Sequence, residues 1–136
     1  ASSEAYVDFP LFRLGEIYLN LAEAVLRGGQ GATRAEALGY INDLRKRAYD
    51  DKLAAPIGDS DFTLNFLLDE RGRELFYEAQ RRTDLIRFGK YTSADYVWPW
   101  KGGVAEGKAV NDFYTVFPLP SDDVGSNENL KQNDGY

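Results

Sequence analysis

The 136-residue chain is about one domain long, and 43% apolar residues suffice for a real core. Its formal charge is -6, with Lys and Arg scattered singly or in pairs, so it lacks the clustered basic residues that a nucleic-acid backbone requires. It has no His and no Cys, which excludes the usual general base at neutral pH, thiolate nucleophiles, zinc–thiolate sites and disulfides; no cofactor and no metal are expected. The absence of Met, an initiator included, reads as a processed product or a piece of a longer protein. Mean hydropathy is -0.47, and no apolar run approaches the roughly 18 residues that span a bilayer.

Pro10 opens a helical pattern. From Leu11 to Arg27 the residues Leu14, Ile17, Leu21, Ala24 and Val25 recur at steps of three and four, the spacing of one helix face, and Gly28, Gly29 and Gly31 then stop the helix. Thr33 followed by Glu36 is a capping-box signature for a second helix over 34–49, with Leu38, Ile41, Arg45 and Ala48 along one side. So short a connection predicts an antiparallel pair. Residues 50–61 read as loop, because Asp50, Asp51, Pro56, Gly58 and Asp59 are turn formers. A third, long helix is predicted over 62–89, with Asp61 as its cap, Gly89 as its end and Gly72 as an internal point of bending or breakage. Periodicity vanishes over 90–113, an irregular loop rich in aromatic residues and glycine. Residues 114–136 read as an extended tail, in which Pro118 and Pro120 forbid regular helix or central strand; Ser121, Asp122 and Asp123 are placed to cap one short helical turn.

The chain is therefore read as all-α: a tetratricopeptide-like helical hairpin, a long third helix, an aromatic loop and an extended tail. Small residues at Ala22, Ala24, Gly29 and Ala37 let two helices approach closely. One pair and one further helix are fewer than a solenoid needs, so the piece either packs on missing helices or folds its tail over its own exposed face.

Glu70, Glu74 and Glu78 lie four apart on one face of the predicted third helix, and paired carboxylates perform glycoside hydrolysis. Yet Arg71, Arg73, Arg81, Arg82 and Arg87 crowd the same helix, and a guanidinium neighbour lowers a carboxyl pKa, the wrong direction for a general acid. The apolar stripe Leu64, Leu68, Leu75 and Leu85 is interrupted by Arg71, Glu78 and Arg82. Charges on a core-facing stripe persist only when paired, since breaking a buried pair costs about 3–5 kcal/mol. The expectation is a structural ion network of Glu70, Arg71, Glu74, Glu78, Arg81, Arg82, Asp84 and Arg87, joined to the first helix through Arg13, Glu16 and Glu23. The alternative is a solvated face of weak pairs, each contributing about 0–1 kcal/mol.

The candidate ligand surface is the aromatic loop. Tyr96, Trp98 and Trp100 alternate, so an extended backbone would present all three rings on one side, with Asp95 beside them and Lys101 adjacent. Sugars stack their C–H faces on such rings while acidic and amide groups hold the hydroxyls. The alternative is that the rings cover apolar surface left by the helices.

Three segments resemble the SusD/RagB family of outer-membrane nutrient-binding lipoproteins. Phe12-Arg13-Leu14-Gly15-Glu16 through Ala22-Glu23-Ala24 is similar to the family's arginine, glutamate and Ala-Glu-Ala helix. Asp69-Glu70-Arg71-Gly72-Arg73-Glu74-Leu75-Phe76-Tyr77-Glu78, continuing to Asp84-Leu85-Ile86-Arg87-Phe88-Gly89, resembles its Glu-Arg-Arg-x-Glu-Leu…Asp-Leu-x-Arg-Trp-Gly helix, with Gly72 and Phe88 as departures. Phe117-Pro118-Leu119-Pro120 followed by Asn129-Leu130-x-Gln132-Asn133-x-Gly135-Tyr136 looks like its terminal signature, and Asn42, Arg45, Arg47 and Ala48 add a weaker match. The resemblance covers nearly the whole chain and implies the C-terminal part of a larger protein at the cell outer membrane. It implies an oligosaccharide or other nutrient as ligand, a SusC-type TonB-dependent transporter as partner, and no catalysis. Membrane attachment would run through a lipid anchor that this chain, having no Cys, does not carry. The family's glycan contacts come mostly from the part preceding such a segment. The readings of a different class are a tetratricopeptide-like adaptor that binds a protein partner without glycan and, more distantly, a carboxylate glycoside hydrolase.

Overall fold

The computed structural model describes residues 10–49 and 56–136; Asp50 and Asp51, expected as turn formers, lie outside the described residues. The helices are α1 (Leu14–Leu26), α2 (Arg34–Ala48), α3 (Leu64–Glu74), α4 (Arg81–Arg87) and the short α5 (Ser121–Ser126), with single 3-10 turns at Lys101–Gly103 and Asp112–Thr115. Among the described residues there is no strand, and no helix is long and apolar enough to cross a membrane. The chain forms two compact units, Ala1–Asp84 and Leu85–Tyr136.

In the first unit α1 starts at Leu14 rather than at Leu11. Arg13 occupies the N-cap in an extended conformation (φ -148°, ψ 158°), and its side chain makes no cap bond; it is used elsewhere, as described below. At the other end Gly28 turns left-handed (φ 87°) and the Gly29 amide donates to the Ala24 carbonyl at 2.8 Å. A Cβ on Gly29 would lie 2.8 Å from that same oxygen, so this helix stop requires the missing side chain. α2 opens with the capping box: the Glu36 amide donates to the Thr33 hydroxyl at 3.2 Å and the Thr33 amide donates to the Glu36 carboxylate at 2.7 Å. These Thr33 hydrogen bonds, the amide's first, hold the Glu36 carboxyl below its ordinary range.

α1 packs against both α2 and α3. The core is built from Leu19 and Ala22 of α1, Ala37, Ile41 and Leu44 of α2, and Phe62, Leu67 and Leu75 on or beside α3. Alanine at 22 and 37 brings the hairpin close, and the Tyr18 and Tyr40 rings stack at 4.5 Å. Thr63, not Asp61, caps α3, its hydroxyl accepting from the Phe66 amide at 3.2 Å. The Asn42 carboxamide pins Ile57, accepting from its amide (2.9 Å) and donating to its carbonyl (3.2 Å).

The run expected as one helix over 62–89 is divided. Helix continues through Gly72 and gives way at Leu75–Gln80, where Tyr77 (φ 63°) and Ala79 (φ 58°) are left-handed. The break lies where the Glu78 carboxylate accepts from Arg13 of α1 and the Arg81 guanidinium reaches back to the Leu68 carbonyl at 2.6 Å. Gly72 serves that return: its absent side chain leaves the space through which Arg81 passes, 3.0 Å from where a Cβ would stand. Two left-handed non-glycine residues cost about 1–2 kcal/mol each. Ala79→Gly, at an exposed position, is therefore expected to stabilise the protein by up to about 1 kcal/mol after the added unfolded-state freedom of glycine is subtracted. The urea midpoint reads it, and an unchanged or lower midpoint contradicts strain at this site.

In the second unit Gly89 (φ 67°) ends α4, with the Lys90 and Tyr91 amides returning to the Leu85 carbonyl at 2.7 and 3.0 Å. The tail closes on itself. The Gln132 carboxamide accepts from the Leu119 amide (2.8 Å) and donates to the Leu119 carbonyl (2.9 Å). Asn133 donates to the Phe117 carbonyl (2.7 Å), and the Tyr136 hydroxyl donates to the Val116 carbonyl (2.8 Å). Between these halves lies α5, whose N-cap is Pro120 rather than Ser121 and carries no side-chain bond. Phe113 packs on Tyr114 and Tyr136 with ring centroids at 4.3 and 5.0 Å, and Gly135 (φ 96°) lies so close to Phe113 that a Cβ would collide with the ring.

Candidate functional site

Two clusters hold the chemistry-bearing residues. The first, in unit one, is a set of arginine–carboxylate pairs. Arg13 forks over the start of α1, its Nη1 2.6 Å from Glu74 and its Nε 2.7 Å from Glu78. Buried Gly15 sits beneath this fork; a Cβ there would stand 2.8 Å from the Glu74 carboxylate and closer still to Arg13. The Glu78 hydrogen bond foremost, with Glu74 adding, raises the Arg13 pKa above its ordinary value against the opposing effect of burial. Arg47 of α2 meets the same Glu74 carboxylate at 2.6 Å. Glu70 lies 3.0 Å from Arg45 of α2 and 2.6 Å from Arg73 on its own helix. Deepest is Arg71, 1% exposed, whose Nε stands 2.8 Å from equally buried Asp84 and whose Nη1 donates to Asn20 of α1 at 2.8 Å.

Of the residues expected in a network, the structure thus brings together Arg13, Glu74 and Glu78, places Arg71 on Asp84, and gives Glu70 arginine partners. Arg81 donates from its Nη1 to the Leu68 carbonyl at 2.6 Å. Glu23 is buried and lies 3.0 Å from Arg27, the C-cap residue of its own helix. Glu16 stands on α1 and, among the described residues, forms no ion pair, because the guanidinium that crosses to α3 belongs to its neighbour Arg13. Arg82 and Arg87 ride on α4, Arg87 lying over the Phe88 ring at 5.5 Å. Arg45, Arg47 and Asn20 were not singled out as members; the legible signal was the basic cluster closing α2, Arg45-Lys46-Arg47.

The second cluster, in unit two, is the aromatic loop. Lys101 is its centre: 4% exposed, its ammonium donates to the carbonyls of Ser93 (2.6 Å), Tyr96 (2.8 Å) and Lys90 (3.3 Å) and lies 4.7 Å from the Trp98 ring. Burial pushes its pKa down, with the Asp95 charge opposing. Carbonyls converging on one ammonium curl the backbone, so the stretch is not extended and the alternating rings do not share one side. Trp98 and Trp100 line a hollow of about 650 Å³ together with Tyr91, Lys108, Asn111 and Tyr114, while Tyr96 does not line it. Asp95 is also apart from it: it clips the loop, bound by Lys90 at 2.5 Å and by the Ser93 hydroxyl, and these hold its carboxyl below the ordinary aspartate range. Trp100 is 71% exposed on a left-handed backbone (φ 68°). The loop is close-packed where it doubles back: a Cβ on Gly102 would meet Lys108 at 2.7 Å, and one on Gly107 would collide with the Trp98 carbonyl. Tyr91, Lys108, Asn111 and Tyr114 were not legible as one group, because Tyr91 stands 17 residues or more from the other three across a loop without periodicity.

Among the described residues no group of acidic side chains is placed to hold a metal ion. A profile described as the SusD family matches residues 1–136. The chain is 43% identical over 129 residues to the starch-binding protein SusD of Bacteroides thetaiotaomicron, which covers 95% of this chain and 22% of that protein. A crystal structure of a SusD superfamily protein from Bacteroides vulgatus superimposes with a TM-score of 0.71 at 34% identity, covering 93% of this chain and 27% of that one. The chain thus spans about a quarter or less of the length of these relatives, and a profile match over its whole length, with the same helical fold at 34% identity, decides its kinship. The chain belongs to the SusD family.

Proposed function

We propose that this chain is the non-catalytic C-terminal scaffold of a cell-surface glycan-binding protein. The parent is anchored to the outer membrane by a lipid and passes its nutrient to a SusC-type TonB-dependent transporter. The observation that carries the reading is 43% identity, spread over 95% of the chain, to a starch-binding protein. The ion pairs support the non-catalytic part. Glu70, Glu74 and Glu78 each have a guanidinium within 3.0 Å, which suits a clamp between helices and not a carboxyl group waiting on a substrate. In this role the arginine pairs set the register of α1, α2 and α3, and add specificity more than net stability.

The intact parent protein is the material for the test. Applied to a glycan array and to affinity gels containing polysaccharide, it is expected to be retained by at least one glycan and to release no reducing ends on prolonged incubation. It is also expected to co-purify with its transporter from outer membranes. Retention by no glycan would favour the protein-adaptor reading, and release of reducing ends would favour a hydrolase; either result overturns the proposal.

A further inference from the structure

The aromatic hollow has more on its walls than cover for apolar surface requires. Its polar groups are donors left over by the fold: among the described residues, the Trp98 and Trp100 indole N–H groups, the Asn111 carboxamide and the Lys108 ammonium have no hydrogen-bond partner. Lys101, by contrast, is fully used by carbonyls and contributes only by holding Trp98 in place. No carboxylate lines the hollow, so nothing there neutralises Lys108. Trp100 is the second observation. An indole is held 71% exposed at the cost of a left-handed backbone, immediately before the carbonyl-bound Lys101 and the left-handed Gly102 and Gly103. Backbone strain of this kind, about 1–3 kcal/mol, persists where the surroundings enforce it and concentrates at ligand clamps. Tyr114, which also lines the hollow, is buttressed by Phe113 and Tyr136. The volume, about 650 Å³, is that of a small-ligand site.

We propose that this hollow is a binding site for a pyranose ring of a glycan, the ring's C–H face lying on Trp100 and Trp98, and its hydroxyl edge meeting Asn111 and Lys108. The chemistry follows from the walls. A flat apolar face matches the indoles, and an acceptor-rich rim matches unpartnered N–H donors; a purely apolar ligand would leave those donors unpaired. This rests on the glycan-binding reading above and deepens it, since it places one contact on the C-terminal unit.

The test uses the intact parent protein, maltoheptaose as the first probe, and otherwise an oligosaccharide taken from whichever glycan the array shows it retains. Trp100→Ala and Asn111→Ala both alter exposed side chains. Each is expected to weaken binding, Trp100→Ala by roughly tenfold, while Trp100→Phe retains most of the affinity because a ring face remains. Oxidation of Trp100 by N-bromosuccinimide, located by peptide mass, should be rapid in the free protein and slowed by the oligosaccharide. If the parent binds glycan yet both alanine variants match it and the oligosaccharide leaves Trp100 oxidation unslowed, this site is refuted and the glycan-binding reading stands. A Trp100 inaccessible to the reagent in the free parent refutes it equally. If the parent binds no glycan at all, both fall together. Should an alanine variant misfold, the oxidation experiment on the unmodified protein decides alone.

Discussion

Replacing Arg71 with Met should lower the stability of the protein by about 3–5 kcal/mol, because it leaves the Asp84 carboxylate buried opposite an apolar side chain. Arg71 and Asp84 are each 1% exposed and stand 2.8 Å apart, so neither charge can turn to water when the other is lost. Asn20 also loses the donor that its side-chain oxygen accepts. Equilibrium urea unfolding gives the number. The double variant Arg71→Met/Asp84→Asn removes the buried charge as well and should recover a large part of the loss, since a neutral pair of similar volume often matches or exceeds a buried ion pair. A single variant that loses less than about 1 kcal/mol would place the pair among ordinary surface contacts, contrary to its burial.

The second large effect belongs to Lys101. Lys101→Met preserves the length and apolar stem of the side chain and deletes only the ammonium, leaving the carbonyls of Lys90, Ser93 and Tyr96 without their common donor. Each buried acceptor left unmet costs about 1–3 kcal/mol, so the loop should open to water rather than bear the sum. The expected result is faster amide exchange across 90–101 and a red-shifted Trp98 emission, as the indole loses the ammonium 4.7 Å from its ring and gains solvent. Lys101→Arg should rescue little, because a planar fork cannot reproduce a compact ammonium inside a cup of carbonyls. Protection and emission indistinguishable from the unmodified protein would show that the loop is ordered by its rings alone.

What could be read from the chain alone follows the range of the forces involved. The α1–α2 hairpin was legible because periodicity, the Gly28–Gly29 stop and the Thr33–Glu36 box all act within a few residues. The break at Leu75–Gln80 was not, since neither Tyr77 nor Ala79 favours a left-handed backbone. The contacts that meet there run from Arg13, more than sixty residues away, and from Arg81 back to Leu68. Composition disclosed that the carboxylates and arginines of the predicted third helix would be costly to bury alone. It did not disclose that Arg45 and Arg47 would share them, because choice among like charges depends on helix crossing and not on spacing. In the loop, alternation of Tyr96, Trp98 and Trp100 suggested one shared face, whereas a single buried lysine bends the stretch so that only the two indoles line the hollow.

The tail has a bearing on how such a protein survives crowding. Residues 116–119 form an extended, apolar run with Val116 and Phe117 open to solvent, the kind of segment that templates intermolecular strand addition. Its backbone offers such a neighbour almost nothing. Both polar groups of Leu119 are taken by Gln132, the Phe117 and Val116 carbonyls are taken by Asn133 and Tyr136, the Val116 amide returns to Phe113, and Pro118 and Pro120 have no amide hydrogen to give. The signature at the end of the chain therefore acts as a guard against self-assembly into fibrils, leaving the apolar side chains exposed while withdrawing the hydrogen bonds that would zip one molecule to the next.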